Sequence, residues 1–347
     1  MIERKAFERY LKRKFGKGSI VKFAKLGSGV YGDAYLVKFK DSEMVLKGME
    51  TGSFGHDHFS DIAKIFIWQN DAFNKLERHV KAYDVVGFDE EKGEIVSLGT
   101  CKKFLILMER AHGRNYFEDL DRIIKKRTLA GKDITRIHAL SDYLVKIHAV
   151  KHEDRSLYAR KIRDTVGNGE CIMGILDAYP ELGYFGERRI SRFVKMCVDE
   201  WIFLRKKYWR LSKVHGDFHP GNIIFSGGGR TFKLLDRSRG EFGEPADDVT
   251  ALCINYIFYY YTSANRLFLD MLERFIERYE KGSKDVEIWR ASPLFFAFRA
   301  IVVANPLFYP DGWFERRGGN AVEVRKRMLD FAETVLTKRN FDIELVD

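Results

Sequence analysis

Residues 214–225 read VHGDFHPGNIIF: two histidines, an aspartate and an asparagine stand within eight positions, His215 to Asn222, and then the chain turns apolar. Asp, Gly, Pro and Asn are ordinary loop residues, so the stretch by itself also reads as a plain turn. The next residues separate the two readings. Residues 222–236 read NIIFSGGGRTFKLLD, two apolar runs joined by Ser-Gly-Gly-Gly-Arg, which is a hairpin signal. An antiparallel hairpin centred near Gly228 predicts that its open ends, Asn222 and Asp236, become neighbours. An amide oxygen beside a carboxylate makes a hard-oxygen pair suited to Mg²⁺. Asp217 lies five residues before Asn222, on the loop entering the hairpin. There it can accept a proton from a nucleophilic hydroxyl, a role worth about 10²–10⁴ in rate. Alone, Asp217 is an Asx-turn residue. The set of Asp217, Asn222, the hairpin and Asp236 is more than a series of turns.

Working outward, the first third reads as strands and one long helix. SIVKFAKL, DAYLVKFK and EMVLKGME (19–26, 33–40 and 43–50) carry short apolar runs bounded by glycine or charge, as antiparallel strands do. From Asp61 to Val86 the apolar residues Ile62, Ile65, Phe66, Phe73, Leu76, Val80 and Tyr83 recur at three- and four-residue steps, which predicts one helix over that span. GEIVSLG and CKKFLILMER then give two strands about a Gly99–Thr100 turn. After Arg110 the pattern is helical to about Leu211, and helical again beyond the hairpin. The fold class expected is therefore α+β and two-lobed. Residues 1–110 form an antiparallel sheet with one long helix, residues 111–347 form a larger, mainly helical lobe, and the hinge falls near 109–113.

Within the first lobe, Gly27, Gly29 and Gly32 spell G-x-G-x-x-G. The same spelling opens dinucleotide-binding folds, but there it leads into a helix. Here it leads into the strand pattern DAYLVKF, and a strand–glycine loop–strand unit is a phosphate-covering flap. A plain β-turn is the other reading. Lys47 ends a strand about fifteen residues on, where it can contact α- and β-phosphates if a carboxylate holds it. Glu77, four residues after Phe73 and three before Val80, is placed by the helical pattern beside the buried face and supplies that carboxylate. Either residue alone would pass for a surface charge.

Composition bounds the rest. The chain has 347 residues, 45% hydrophobic and 14% aromatic, as a globular protein does. Its net charge is +10, and residues 1–20 carry half of that excess, with seven Lys or Arg against two Glu. Ile2, Ala6, Tyr10, Leu11 and Phe15 stand at helical spacing in that segment, which predicts a basic amphipathic helix. A docked apolar stripe under a solvated face is preferred there to a nucleic-acid-binding helix. Cys101, Cys171, Cys197 and Cys253 show no zinc or redox spacing and read as reduced thiols. The N-terminus lacks a signal-peptide core, and the apolar stretches 251–261 and 293–310 are broken by Asn255, Arg299 and prolines. A soluble, cytoplasmic protein with no membrane partner is expected; the oligomeric state is left open.

These pieces together resemble the aminoglycoside phosphotransferase group of small-molecule kinases, relatives of choline kinase with a protein-kinase-like fold. The resemblance rests on HGDFHPGN (215–222), LLD (234–236), GEPADDV (243–249) and LSDYLVKIHAV (140–150). It implies Asp217 as catalytic base, His215 as an orienting residue of its loop, and Asn222 and Asp236 as Mg²⁺ ligands. It also implies that Lys47, braced by Glu77, holds the phosphates, that Gly27, Gly29 and Gly32 cover them, and that the strand end at Met108–Ala111, with Glu109 and Ala111, meets adenine through its backbone. Asp248 would fix the catalytic loop; Asp247 has no assigned role. The cofactors implied are ATP, or GTP in its place, and Mg²⁺. The activity implied is transfer of the γ-phosphate to a hydroxyl of a small molecule.

Departures from protein kinases sharpen the class. Gly216 and His219 stand where those enzymes carry Arg and Lys, and EPADD follows Asp236 within a dozen residues, leaving little room for a peptide platform. An atypical protein kinase and an inert nucleotide-binding module are the alternatives. The charge of +10 argues against a polycationic aminoglycoside as acceptor and leaves sugars, nucleosides, amino alcohols and phosphorylated metabolites open. Arg237 and Arg239 are expected to pair with Glu241 and Glu244, ahead of a role in binding an anionic substrate.

Overall fold

The computed structural model describes residues 4–16, 20–29, 32–51, 59–96 and 103–346. Ile2, Ser19, Val30 and Tyr31 between the glycines, the Gly99–Thr100 turn and Cys101 lie outside the described residues. Two compact units form: Met1–His112 with Lys233–Arg239, and Gly113–Phe232 with Gly240–Asp347.

The first unit contains α1 (Arg4–Phe15), β1 (Lys22–Gly29), β2 (Gly32–Lys38), β3 (Glu43–Gly48), α2 (Phe59–Phe73), β4 (Ala82–Asp89), β5 (Glu94–Val96) and β6 (Lys103–Glu109). Its sheet runs β1-β2-β3-β6-β4-β5, with antiparallel pairs throughout. Strand periodicity explains how β6 serves two cores, since successive side chains leave opposite faces. Leu105 and Leu107 pack with Phe7, Tyr10 and Leu11 of α1, while Ile106 and Met108 pack with Ile62, Phe66 and Phe73 of α2. The basic N-terminal helix thus buries its apolar stripe and leaves Lys5, Arg9, Lys12, Arg13 and Lys14 exposed. Full burial of a side chain such as Phe7 is worth about 2–3 kcal/mol, enough to hold a short helix that charge repulsion disfavours.

The long helix expected over Asp61–Val86 is not what forms. α2 ends at Phe73, a turn follows, and Tyr83 lies in β4 and is exposed. Tertiary hydrogen bonds end the helix. Arg237 Nη1 donates to Ala72 O at 2.7 Å, Val80 N–H donates to Leu234 O at 3.3 Å, and Leu234 N–H donates to Arg78 O at 3.2 Å. Leu76 and Val80 stay buried at a four-residue step, so the pattern imitates a helix that the backbone does not make.

The second unit contains β7 (Arg114–Asn115), α3 (Tyr116–Lys126), α4 (Gly131–His148), α5 (Arg155–Gly167), α6 (Ile172–Asp177), α7 (Glu187–Leu204), β8 (Ser212–Lys213) and β9 (Ile223–Ser226). Next comes β10 (Thr231–Leu234), whose last two residues join the first unit, and then β11 (Phe242–Gly243). The helices α8 (Pro245–Ser263), α9 (Leu267–Ser283), α10 (Ile288–Ala291), α11 (Pro293–Ala304), α12 (Asp311–Glu315) and α13 (Ala321–Lys338) complete it. The hairpin strands lie in a sheet of order β10-β9-β7. α8 and α11 are buried on nearly every side, and their sequences are mostly apolar, with Asp247, Asp248, Asn255 and Arg299 among the few buried polar residues. Among the described residues, no helix is long and apolar enough to cross a membrane. Cys171, Cys197 and Cys253 are buried.

Candidate active site

The loop from His215 to Asn222 is held from below by α8. Pro245 occupies the first turn of that helix and Glu244 caps it, so the next residues, Asp247 and Asp248, project from a helix N-terminus. Asp248 is fully buried and accepts the backbone N–H groups of His215 and Gly216, each at 2.7 Å. His148 Nε2, at the end of α4, stands 3.3 Å from the same carboxylate, and its Nδ1 meets Tyr279 Oη at 2.8 Å. Burial pushes the Asp248 carboxyl up, but His148, His215 and the backbone N–H groups outweigh it and hold it below the ordinary value. His215 is itself buried, and its Nδ1 accepts the N–H of Asp217 at 3.2 Å, so the ring folds back onto its own loop.

Asp217 is held at both oxygens. Arg299 Nη1 donates to Oδ1 at 2.6 Å, and Asn222 Nδ2 donates to Oδ2 at 3.1 Å and to the Asp217 carbonyl at 3.0 Å. His219 Nε2 lies 3.6 Å from Oδ2, while His219 Nδ1 accepts the Gly221 N–H at 3.0 Å, capping the short 3-10 turn Pro220–Asn222. The Asp217 side chain remains 24% exposed, so the carboxylate is fixed without being sealed. Arg299 also donates to Gly216 O at 3.1 Å and pairs with Asp247. Neither Arg299 nor Asp247 received a role from the sequence. The signal was present: a lone arginine within PLFFAFRAIVVA, on a helix buried nearly all round, needs a charged partner.

In the first unit, Lys47 is the penultimate residue of β3 and forms an ion pair with Asp236. Asp236 has φ 56°, in the left-handed region that costs a non-glycine residue about 1–2 kcal/mol. Neighbours on both sides are tied down, Leu234 by its backbone bonds to the Arg78–Val80 turn and Arg237 by Ala72, and they hold that conformation. Glu77 stands elsewhere. With α2 ending at Phe73, the residue lies exposed on the following turn, off the helical face that would have set it against the sheet. The charged partner that Lys47 takes is Asp236.

The expected pairing of Arg237 or Arg239 with Glu244 does not form. Arg237 is fully buried and serves as a plug for the end of α2, while Glu244 is taken by Arg210, with bonds of 2.7–3.1 Å, and by the Tyr158 hydroxyl at 2.7 Å. Glu109 ends β6; its N–H donates to Lys81 O at 2.7 Å, its carboxylate meets Lys233 Nζ at 3.3 Å, and Ala111 lies partly buried just beyond.

The glycines differ in what demands them. At Gly32 (φ 154°) a Cβ would lie 2.3 Å from the Gly48 carbonyl oxygen, so close approach of β2 to β3 excludes any side chain. Among the described residues, a Cβ at Gly27 would meet nothing within 4 Å, and one at Gly29 only the Gly32 oxygen at 3.8 Å.

Asn222 Oδ1 and the Asp236 carboxylate are both hard oxygen donors, one on each unit. Among the described residues, no cluster of three or more His, Cys, Asp or Glu side chains forms a protein-only metal cage. A carboxylate and an amide oxygen are each the kind of donor that suits Mg²⁺.

No protein-family model matches the chain, and no curated protein matches it. Solved structures do match it. Aminoglycoside phosphotransferase APH(4)-Ia aligns over 96% of this chain and 99% of its own, with 15% identity and a TM-score of 0.53. A thermostable mutant of that protein was solved with ADP and hygromycin B. Spectinomycin phosphotransferase APH(9)-Ia aligns over 94% of this chain and 99% of its own, with 13% identity and a TM-score of 0.50. Aminoglycoside phosphotransferase APH(3'')-Id from Streptomyces rimosus aligns over 85% and 99%, with 15% identity and the same score, 0.50. This chain has the fold of the aminoglycoside phosphotransferases.

Proposed function

We propose that the protein is an ATP- and Mg²⁺-dependent phosphotransferase that moves the γ-phosphate to a hydroxyl of a small molecule, with Asp217 as catalytic base. The observation that carries this reading is Asp217 itself, a partly open carboxylate held at both oxygens by Arg299 and Asn222 on a loop anchored by a fully buried aspartate. Phosphoryl transfer asks the protein mainly for positioning and electrostatic stabilisation, and a fixed carboxylate is what aligning a hydroxyl requires. Lys47 binds the nucleotide phosphates, Gly27, Gly29 and Gly32 cover them, and the backbone at Glu109 and Ala111 takes the adenine. Asn222 and Asp236 are assigned as the protein ligands of Mg²⁺. When bound, the ion neutralises charge on the phosphate oxygens. Asp217 orients the acceptor hydroxyl and takes its proton; His215 keeps the Asp217 backbone in place.

Small polyhydroxylated compounds are the acceptors we propose first, a choice supported by the hygromycin B and spectinomycin bound in structural neighbours. The test is ADP release from Mg·ATP across a panel of sugars, nucleosides, amino alcohols and aminoglycosides, with hygromycin B and spectinomycin included. Turnover on one class is expected. Asp217→Asn should lower that turnover by about 10³-fold or more while nucleotide affinity stays unchanged. Full turnover in Asp217→Asn, or no turnover on any small hydroxyl compound by the wild-type chain, overturns the proposal.

A further inference from the structure

Arg299 is the one charged residue of α11, whose other residues from Pro293 to Ala304 are apolar. Its side chain is only 6% exposed. A guanidinium in that setting persists because carboxylates match its charge, although its Nε finds no partner among the described residues. The matches converge on the loop: Nη1 on Asp217 Oδ1, and Nη2 on both the Gly216 carbonyl and Asp247. Asp247 is 9% exposed and adjoins Asp248, which holds the backbone N–H groups of His215 and Gly216.

We infer that Arg299 is a positioning residue for Asp217, and that Asp247 acts by holding Arg299. The inference rests on the reading of Asp217 as the base. Rotation of an aspartate carboxylate about χ2 is soft, with no sharp staggered wells. Asn222 and His219 both meet Oδ2, so Arg299 is what fixes the other oxygen, Oδ1. The guanidinium is a planar, rigid fork, and it joins the Asp217 carboxylate to the carbonyl of the preceding residue. Side chain and backbone of the loop are thereby locked to each other. Two adjacent carboxylates of α8 divide the work: Asp248 fixes the loop backbone directly, and Asp247 fixes the Asp217 side chain through Arg299. A lysine at 299 would keep the charge and lose the fork, which separates positioning from charge compensation.

The experiment uses the full chain and Mg·ATP with water as acceptor, a reaction that Asp217 also orients, so no acceptor need be known. ADP release gives kcat and the KM for ATP, and a thermal melt reports folding. Arg299→Lys should lower kcat by about 10²-fold, the loss expected from a displacement near 1 Å, and leave the KM for ATP unchanged. Arg299→Met should be no more active than the lysine variant. Asp247→Asn should lower kcat less, and the double variant Asp247→Asn, Arg299→Lys should be no worse than Arg299→Lys alone, because Asp247 acts through Arg299. An unchanged kcat in Arg299→Lys, or single losses that multiply in the double variant, overturns the inference. Should Arg299→Lys fail to fold, Asp247→Asn decides alone, and a wild-type kcat in it overturns the inference. Failure of the underlying reading looks different: Asp217→Asn keeps the wild-type rate, or the wild-type chain releases no ADP, and the inference falls with it. An inactive Asp217→Asn beside fully active Arg299→Lys and Asp247→Asn would remove the positioning role alone.

Discussion

Three glycines of one motif carry two different demands. Gly32 is required by the protein itself, since a Cβ would run into the Gly48 carbonyl at 2.3 Å with φ at 154°. Gly27 and Gly29 meet no such obstacle, so a ligand is what would require a bare backbone there. The two demands separate on substitution. Gly32→Ala should destabilise the chain by about 2 kcal/mol, read by urea unfolding. Gly27→Ala and Gly29→Ala should leave stability within about 0.5 kcal/mol while weakening nucleotide binding in a titration with ADP. Loss of stability without loss of binding at Gly27 would remove the flap reading. Asp217 shows a related division: its residue type was legible from HGDFHPGN, whereas Arg299 lies 82 positions away and no spacing rule connects the two.

Among the elements, α8 has the most to hold, and Asp248 is where its first turn grips the loop. Asp248→Ala would leave the N–H groups of His215 and Gly216 buried without their acceptor and should cost about 3 kcal/mol, measured by denaturant unfolding. A carboxyl held below its ordinary value stabilises the fold when ionised, so this contribution is complete above pH 3.8 and is lost as the pH falls below it. The pH dependence of wild-type stability on that acidic side should flatten in Asp248→Asn; an equally steep fall in both proteins would show that Asp248 is not its source. The α2 element teaches the opposite lesson about periodicity. Ile62, Phe66 and Phe73 belong to a helix, but Leu76 and Val80 reach the same interior through a turn whose backbone groups bond to Leu234. Glu77 was misplaced for that reason.

In the whole molecule, neither unit is continuous in sequence, because Lys233–Arg239 leaves the second to complete the first. That segment supplies Leu234 to the Arg78–Val80 turn, Arg237 to the end of α2, and Asp236 to Lys47. Fragment 1–112 should therefore melt without cooperativity, and the same fragment carrying 233–239 on a flexible linker should recover a cooperative transition by circular dichroism. Equal melting of the two would show that the excursion adds nothing to the first unit. Charge is also distributed at this scale. Half of the +10 lies in residues 1–20, and in α1 its exposed members line the face turned away from the sheet core. Net charge thus says little about the surroundings of Asp217, where a carboxylate pair and one arginine set the local balance.

Local chemistry was enough to read the strand-rich first third, the basic helix, the hairpin and the loop bearing Asp217. Each depends on residues within about twenty positions of one another, where periodicity and turn propensity act directly. Tertiary structure alone decided that α2 stops at Phe73, that Lys47 takes Asp236, that Arg237 is buried, and that Arg299 and Asp247 reach Asp217. The physical reason is common to all four. A charge or backbone group in a low-dielectric interior takes whichever partner the packing delivers, and that partner is set by the path of the whole chain, not by its neighbours in sequence.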